Sequence, residues 1–215
     1  MIAALLITAL ILSVGFRLGM RYNIRMARTV LDAVERRFPP VTADYVPIGH
    51  GVGYGFEYTL TGPLERLRGV LTTLPRYQVL YLPIARLLGR NDLLKLTFDC
   101  PDALPAGVAT LVHETARRSR WQAVERDPDW REEEVVDDGN RFRLFCFNPL
   151  VGERMRSLVP KLRGLPHLNQ ISLDSRNGTI TVFLTPDIKK ITDELKTLAE
   201  ALFFLTAPMG RVNVN

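Results

Sequence analysis

The sequence predicts an α+β protein, in which a single N-terminal transmembrane helix continues into a cytoplasmic domain of helices packed on a mainly antiparallel sheet. Three observations predict this. The chain opens on an uncharged apolar run, Met1 to Phe16. Several later segments alternate apolar and polar residues with the period of two that strands require, among others with helical spacing. An Asn177-Gly178 pair joins two of the alternating segments, as in an antiparallel hairpin.

The first charges after the apolar run are Arg17, Arg21, Arg25 and Arg28. A spanning helix needs about 20 mostly apolar residues, and Met1 to Met20 reaches that length if Arg17 extends its stem toward the headgroups. The three- and four-residue arginine spacing keeps these membrane-interface charges along one helical side. A signal peptide fits less well, because nothing basic except the terminal amine precedes the run and bulky Phe16, Leu18 and Met20 follow it. A core helix packed by one side on a domain this small would be apolar on one face rather than all round. Positive charge stays on the cytoplasmic side, which places the amino terminus outside and the rest of the chain inside.

Residues 1–20 are thus the expected anchor, 21–40 a juxtamembrane helix and 41–215 the domain. The helical spacing of Val30, Leu31, Val34 and Phe38 continues until Pro39-Pro40 removes an amide donor. One helix should therefore cross the membrane and pack on the domain. With 215 residues, 47% hydrophobic and 24% charged, the remainder suits one ordinary globular domain. The formal net charge of +5 hides an acidic stretch at 122–138, so the rest is more basic than the total. Cys100 and Cys146 are isolated and fit buried thiols in a reducing compartment.

In chain order, Val52–Leu60 alternates and reads as a strand, and its glycines lack the lysine and helix of a phosphate loop. Residues 63–74 and 81–90 read as helical pieces, interrupted by Pro75 and Pro83. Residues 93–100 read as a strand. Residues 106–121 read as an amphipathic helix with Val108, Leu111 and Val112 inward, and the acidic stretch after it as an exposed loop. Residues 141–148 alternate, with Phe142, Leu144 and Cys146 on one side, and Pro149 opens a helix to about Leu162. A two-residue turn at Asn177-Gly178 would pair Arg176 with Thr179, Leu173 with Val182 and Ile171 with Leu184. Thr185 is the expected cap of the last helix, with Pro186 in its first turn. Ile188, Ile191, Leu195, Leu198, Leu202 and Leu205 form its apolar face.

Catalytic and metal motifs are not evident. His50, His113 and His167 share no metal-ligand spacing with each other or with a cysteine. The chain has no Gly-x-Ser-x-Gly elbow, no Cys-x-x-Cys and no dinucleotide fingerprint. His113-Glu114 lacks a second histidine four residues after His113. Asp127, Asp129, Glu132, Glu133 and Glu134 lack the spacing of a calcium loop. The expectation is a non-enzyme with no cofactor and no small-molecule substrate. The positive signal is basic: Arg66, Arg68, Arg76, Arg86 and Arg90, then Arg117, Arg118 and Arg120, then Arg154, Arg156, Lys161 and Arg163. These are either the wet faces of surface helices or contacts to phosphate, of lipid or of RNA. Arginine suits phosphate because its planar fork donates two hydrogen bonds at once.

Residues 61–102, TGPLERLRGVLTTLPRYQVLYLPIARLLGRNDLLKLTFDCPD, resemble the cytosolic domain of the calumin family, the coiled-coil-domain proteins of the endoplasmic reticulum that accompany the multipass translocon. The resemblance lies in the order: a Gly-led basic helix, Arg76 before a second helix, Ala85-Arg86 followed by paired apolars, and Asp92 introducing a strand. A later helix, NQISLDS, a second strand and a leucine-rich terminal helix extend it over about residues 50–207. The resemblance implies an outside amino terminus, one span and a cytosolic domain. Its implied partners are translocon or insertase subunits and the ribosome. The acidic lumenal segment and the lysine-rich coiled-coil tail have no counterpart here. The first absence removes any calcium inference, the second concerns the tail to which the resemblance would assign ribosome contact, and together they imply a compact, minimal relative such as a prokaryote could carry. The alternative is a membrane-tethered module that uses its basic faces on anionic lipid.

Overall fold

Residues 1–49, 51–101, 104–114 and 130–207 are described by the computed structural model. The apolar N-terminal run and the juxtamembrane segment form one unbroken helix, α1 (Ile2–Arg37). It ends where Pro39-Pro40 forbids continuation. Its first half is exposed and is long and apolar enough to cross a membrane, with a mean hydropathy of 2.1 over the best window. In its second half Met26, Ala27, Val30, Ala33 and Val34 are buried, so the expected packing on the domain is present.

The domain is built on a nine-stranded antiparallel sheet. Its strands are β1 (Thr42–Ile48), β2 (Gly53–Thr59), β3 (Arg66–Thr72), β4 (Leu93–Asp99), β5 (Val108–His113), β6 (Arg131–Asp137), β7 (Asn140–Cys146), β8 (Leu168–Asp174) and β9 (Thr179–Leu184). Their spatial order is β1-β2-β3-β4-β9-β8-β5-β7-β6. A short helix, α2 (Tyr81–Leu87), lies between β3 and β4. α3 (Pro149–Leu158) follows β7 and runs into a 3-10 turn at Val159–Leu162, and α4 (Ile191–Thr206) follows β9.

Among the described residues, α1, α3 and α4 cover one sheet face. Leu67, Leu71, Leu94, Leu96, Phe98, Ile180, Val182, Ile171 and Leu173 point into that layer and are almost completely buried. Phe38 at the end of α1 meets Phe98, with ring centroids 5.1 Å apart. The opposite face is polar at its centre. There Thr97, Thr181, Ser172 and Thr110 stand side by side across β4, β9, β8 and β5. Thr110 donates to Ser172 at 3.1 Å and Gln170 donates to the same hydroxyl at 2.8 Å.

Several expectations need correction. The segment at 63–74 is not a helix, because Arg66–Thr72 is strand β3. Its inward row is Leu67, Gly69 and Leu71, and the gap at Gly69 is filled by its cross-strand partner Phe56. A Cβ on Gly69 would sit 1.9 Å from the Phe56 ring, so the aromatic ring replaces the missing side chain. Val108–His113 is also a strand, and Thr110 and Val112 are buried along with Ala109 and Leu111. Burial on both faces erases the alternation that marks a strand. The remainder of the expected 106–121 helix, from residue 115 on, lies outside the described residues.

The acidic stretch is likewise not all loop, since Arg131–Asp137 is the edge strand β6. It joins β7 through Asp138-Gly139, both at positive φ (46° and 80°). That is the two-residue turn whose twist suits a hairpin. The Asn177-Gly178 hairpin instead has a four-residue loop, with Asp174 paired to Thr179 and Leu173 to Ile180. Asp174 accepts hydrogen bonds from the Arg176 amide and the Asn177 side chain, both within the loop. The register moves by two, so the inward face survives. Finally, Thr185 does not cap α4. Residues 188–190 form a turn, and Asp187 accepts from the Lys189 amide at 2.9 Å before the helix starts at Ile191. β1 is a strand that no sequence pattern singled out.

Candidate functional site at the α1–domain junction

The domain meets α1 first at Gly15 and Gly19, one turn apart on the same helical side. A Cβ on Gly15 would lie 2.5 Å from the Val79 side chain, and one on Gly19 would lie 2.3 Å from the Arg76 carbonyl oxygen. The pair is a small-xxx-small groove that lets a second backbone approach closely. The connection between β3 and β4 fills it. Phe16 and Tyr77 add an edge-on ring contact with centroids 5.7 Å apart.

One turn further along α1, Asn23 is fully buried. Its amide donates to the Leu74 carbonyl at 2.8 Å and to the Gly51 carbonyl at 3.3 Å, and its oxygen accepts from Arg76 at 3.1 Å. Arg76 forks onto Asp92 at 2.8 and 2.5 Å. Asp92 also accepts from the Leu74 amide at 2.8 Å. The Arg76 guanidinium lies 4.6 Å from the Tyr22 ring centroid. Burial works against the cation, but the hydrogen-bonded Asp92 carboxylate outweighs it and holds the Arg76 pKa above its usual value. A network satisfied at every member fixes one geometry. Here it locks the emerging helix to the ends of β3 and β4.

Beside this network a cleft of about 470 Å³ opens between α1 and the β9–α4 connection, lined by Tyr22, Arg25, Asp92, His167, Asp187 and Lys189 among others. At its margin His167 Nδ1 is 2.6 Å from Glu194, whose side chain is only 2% exposed. The cleft mixes two cations, two carboxylates and an imidazole, so it suits a zwitterionic or polar group better than a simple anion. Among the described residues, no three His, Cys, Asp or Glu side chains are grouped to hold a metal.

The basic candidates fall into distinct groups. Arg66 pairs with Glu57, Arg68 with Asp99 and Arg76 with Asp92. Arg156 pairs with Glu133, and Arg163 with Asp137. The last two carboxylates belong to the acidic stretch, so β6 supplies the counter-charge for the α3 region. The Arg163 guanidinium accordingly lowers the Asp137 pKa. Arg154 donates to the carbonyls of Phe204 and Ala207 and caps the end of α4, while Lys161 stands 4.8 Å from the Phe204 ring. Arg86 and Arg90 are exposed near α2, with Arg90 5.8 Å from the Tyr81 ring. Arg117, Arg118 and Arg120 lie outside the described residues. Arg17, Arg21, Arg25 and Arg28 are all exposed, on the side of α1 away from the buried Asn23, Met26 and Val30.

The sequence pattern did not single out Asn23, the Gly15/Gly19 groove or the exposed apolar residues of α2. A polar residue soon after an apolar run, and two glycines four apart, were the available signals. The chain matches no protein-family model and no curated protein.

Proposed function

We propose that this chain is a single-pass, non-enzymatic accessory factor of membrane-protein biogenesis. In this proposal the apolar half of α1 is the anchor, the amino terminus is outside, and the domain works on the cytoplasmic face beside the translocon or insertase. The main support is the continuity of α1 from its exposed apolar half into the domain core, locked by Asn23, Arg76 and Asp92. Such a joint holds the domain at one height and angle to the bilayer, which a positioning factor needs and a tethered enzyme does not. The polar sheet face carrying Thr97, Thr181 and Ser172 is left clear of the long helices and offers a surface to a client or machine. The likeness of residues 61–102 to calumin supports the choice of process.

A second function is favoured by one observation. Many of the domain's arginines already have carboxylate partners, whereas Arg17, Arg21, Arg25 and Arg28 on α1 and Arg86 and Arg90 by α2 have no ion pair among the described residues. That distribution suits a module that recognises anionic lipid.

The test uses the full chain in native membranes. A cysteine at position 2 should label with an impermeant reagent from outside, and one at Val136 should not. A photo-crosslinker at Thr97 should capture translocon or insertase subunits, and ribosomes should co-sediment in a salt-sensitive way. Charge reversal at Arg117, Arg118 and Arg120 should weaken that sedimentation. Reversed labelling would place the domain in the wrong compartment and end the biogenesis proposal. Unchanged sedimentation with lost binding to anionic vesicles would favour the lipid module.

A further inference from the structure

The connection between β3 and β4 holds a group of apolar side chains that the domain does not bury. Leu80, Ile84, Leu87 and Leu88 are 75%, 52%, 88% and 52% exposed. Their spacing of four, seven and eight from Leu80 puts them on one side of α2. The opposite side is tied down, with Ala85 fully buried. No acidic residue occurs between Arg76 and Asn91, and Arg86 and Arg90 flank the apolar group. An apolar face bordered by cations is the pattern of a helix lying in a membrane interface.

The contacts with α1 set the depth. Just before α2, the Val79 side chain is packed against Gly15 and the Arg76–Tyr77 backbone against Gly19. A span needs about 20 residues, so it reaches roughly Met20. Gly15 then lies about five residues, or some 7 Å at 1.5 Å per residue, inside the end of the span. Interfacial helices settle about 5–10 Å into the headgroup–acyl boundary. The apolar face of α2 begins at Leu80, one residue after the Val79 contact with Gly15, and so starts at a depth the leaflet occupies.

We infer that α2 is a second membrane contact: its Leu80, Ile84, Leu87 and Leu88 face sits in the leaflet around the emerging α1, with Arg86 and Arg90 at anionic headgroups. The domain then stands on two points, a span and an in-plane helix, which restrains α1 and the domain from tilting together against the bilayer. This rests on α1 being a span, and the test separates the two.

The full chain is reconstituted in vesicles of phosphatidylcholine and phosphatidylglycerol in equal parts, with an NBD probe on a single introduced cysteine. The native Cys100 and Cys146 are both buried, which shields them from the labelling reagent, and burial also raises both thiol pKa values. Probes are placed by Leu87→Cys, by Ile7→Cys in the span and by Arg176→Cys at the hairpin tip remote from Gly15. The position 87 probe should emit to the blue of the position 176 probe, escape iodide quenching, and be quenched by a doxyl group placed shallow on the lipid chain. The position 7 probe should be quenched by a deep doxyl group. If position 87 is as open to iodide as position 176 while position 7 remains in lipid, the α2 contact is wrong and the span stands. If position 87 is shielded from iodide but untouched by any lipid-borne doxyl group, a second copy of the chain covers it and the inference also fails. If position 7 is open to iodide, the span itself is wrong and the inference falls with it.

Discussion

Arg76 carries most of the junction, and its removal should be costly. Its side chain is 15% exposed and its partner Asp92 is 11% exposed. Arg76→Ala would leave the Asn23 oxygen without a donor and Asp92 with only the Leu74 amide, in a buried setting. Breaking a buried pair from one side typically costs about 3–5 kcal/mol. The expected outcome is a loss of that order in chemical denaturation of the detergent-solubilised chain. A second residue-scale expectation concerns Gly178. Its φ is +61°, and a Cβ there would lie 2.7 Å from the Pro101 Cα. Gly178→Val should therefore cost at least the ~1–3 kcal/mol of a strained backbone, read as a lower denaturation midpoint. The glycine's conformational role was legible from the Asn-Gly pair although the loop length was not, because loop length was set by the hydrogen bonds that the Asp174 carboxylate accepts from the Arg176 amide and the Asn177 side chain.

Among elements, α1 was the most legible, since charge, length and a proline stop all agree along one continuous pattern. The strands that were misread share one cause: their alternation is completed by residues elsewhere in the chain. Phe56 fills the hole at Gly69 in β3, and neighbours on both faces cover β5. The basic side chains of β7, α3 and the turn after it neutralise β6, which in isolation looks like a solvated acidic loop. The junction was less legible for the same reason. Arg76 and Asp92 were both visible, but Asn23 is 53 residues from Arg76, and only the fold brings them together. The groove on α1 gives the element-scale prediction. Gly19→Leu would press a side chain onto the backbone of Arg76 and Tyr77. Overpacking of this kind typically costs about 1–3 kcal/mol. The displaced connection should then be nicked faster by trypsin at Arg86 and Arg90 than in the unaltered chain, whereas an unchanged cleavage rate would mean that the groove does not hold it.

At the scale of the whole molecule, the nine-stranded sheet acts as a platform whose rim is fastened to α1. The strand ends nearest Gly15 and Gly19 carry the polar network and the cleft, and the hairpin at Asn177-Gly178 marks the far rim. A rigid joint is the property on which the biogenesis proposal depends, since a flexible tether would let the platform take any height. Hydrogen exchange of the full chain in lipid nanodiscs, followed by mass spectrometry, tests this most directly. Amides from Gly15 through Arg37 should exchange as slowly as those of α4, with no fast stretch where α1 leaves the bilayer. Rapid exchange over Arg17–Arg28, with α4 still protected, would show a hinge between span and domain and contradict the account.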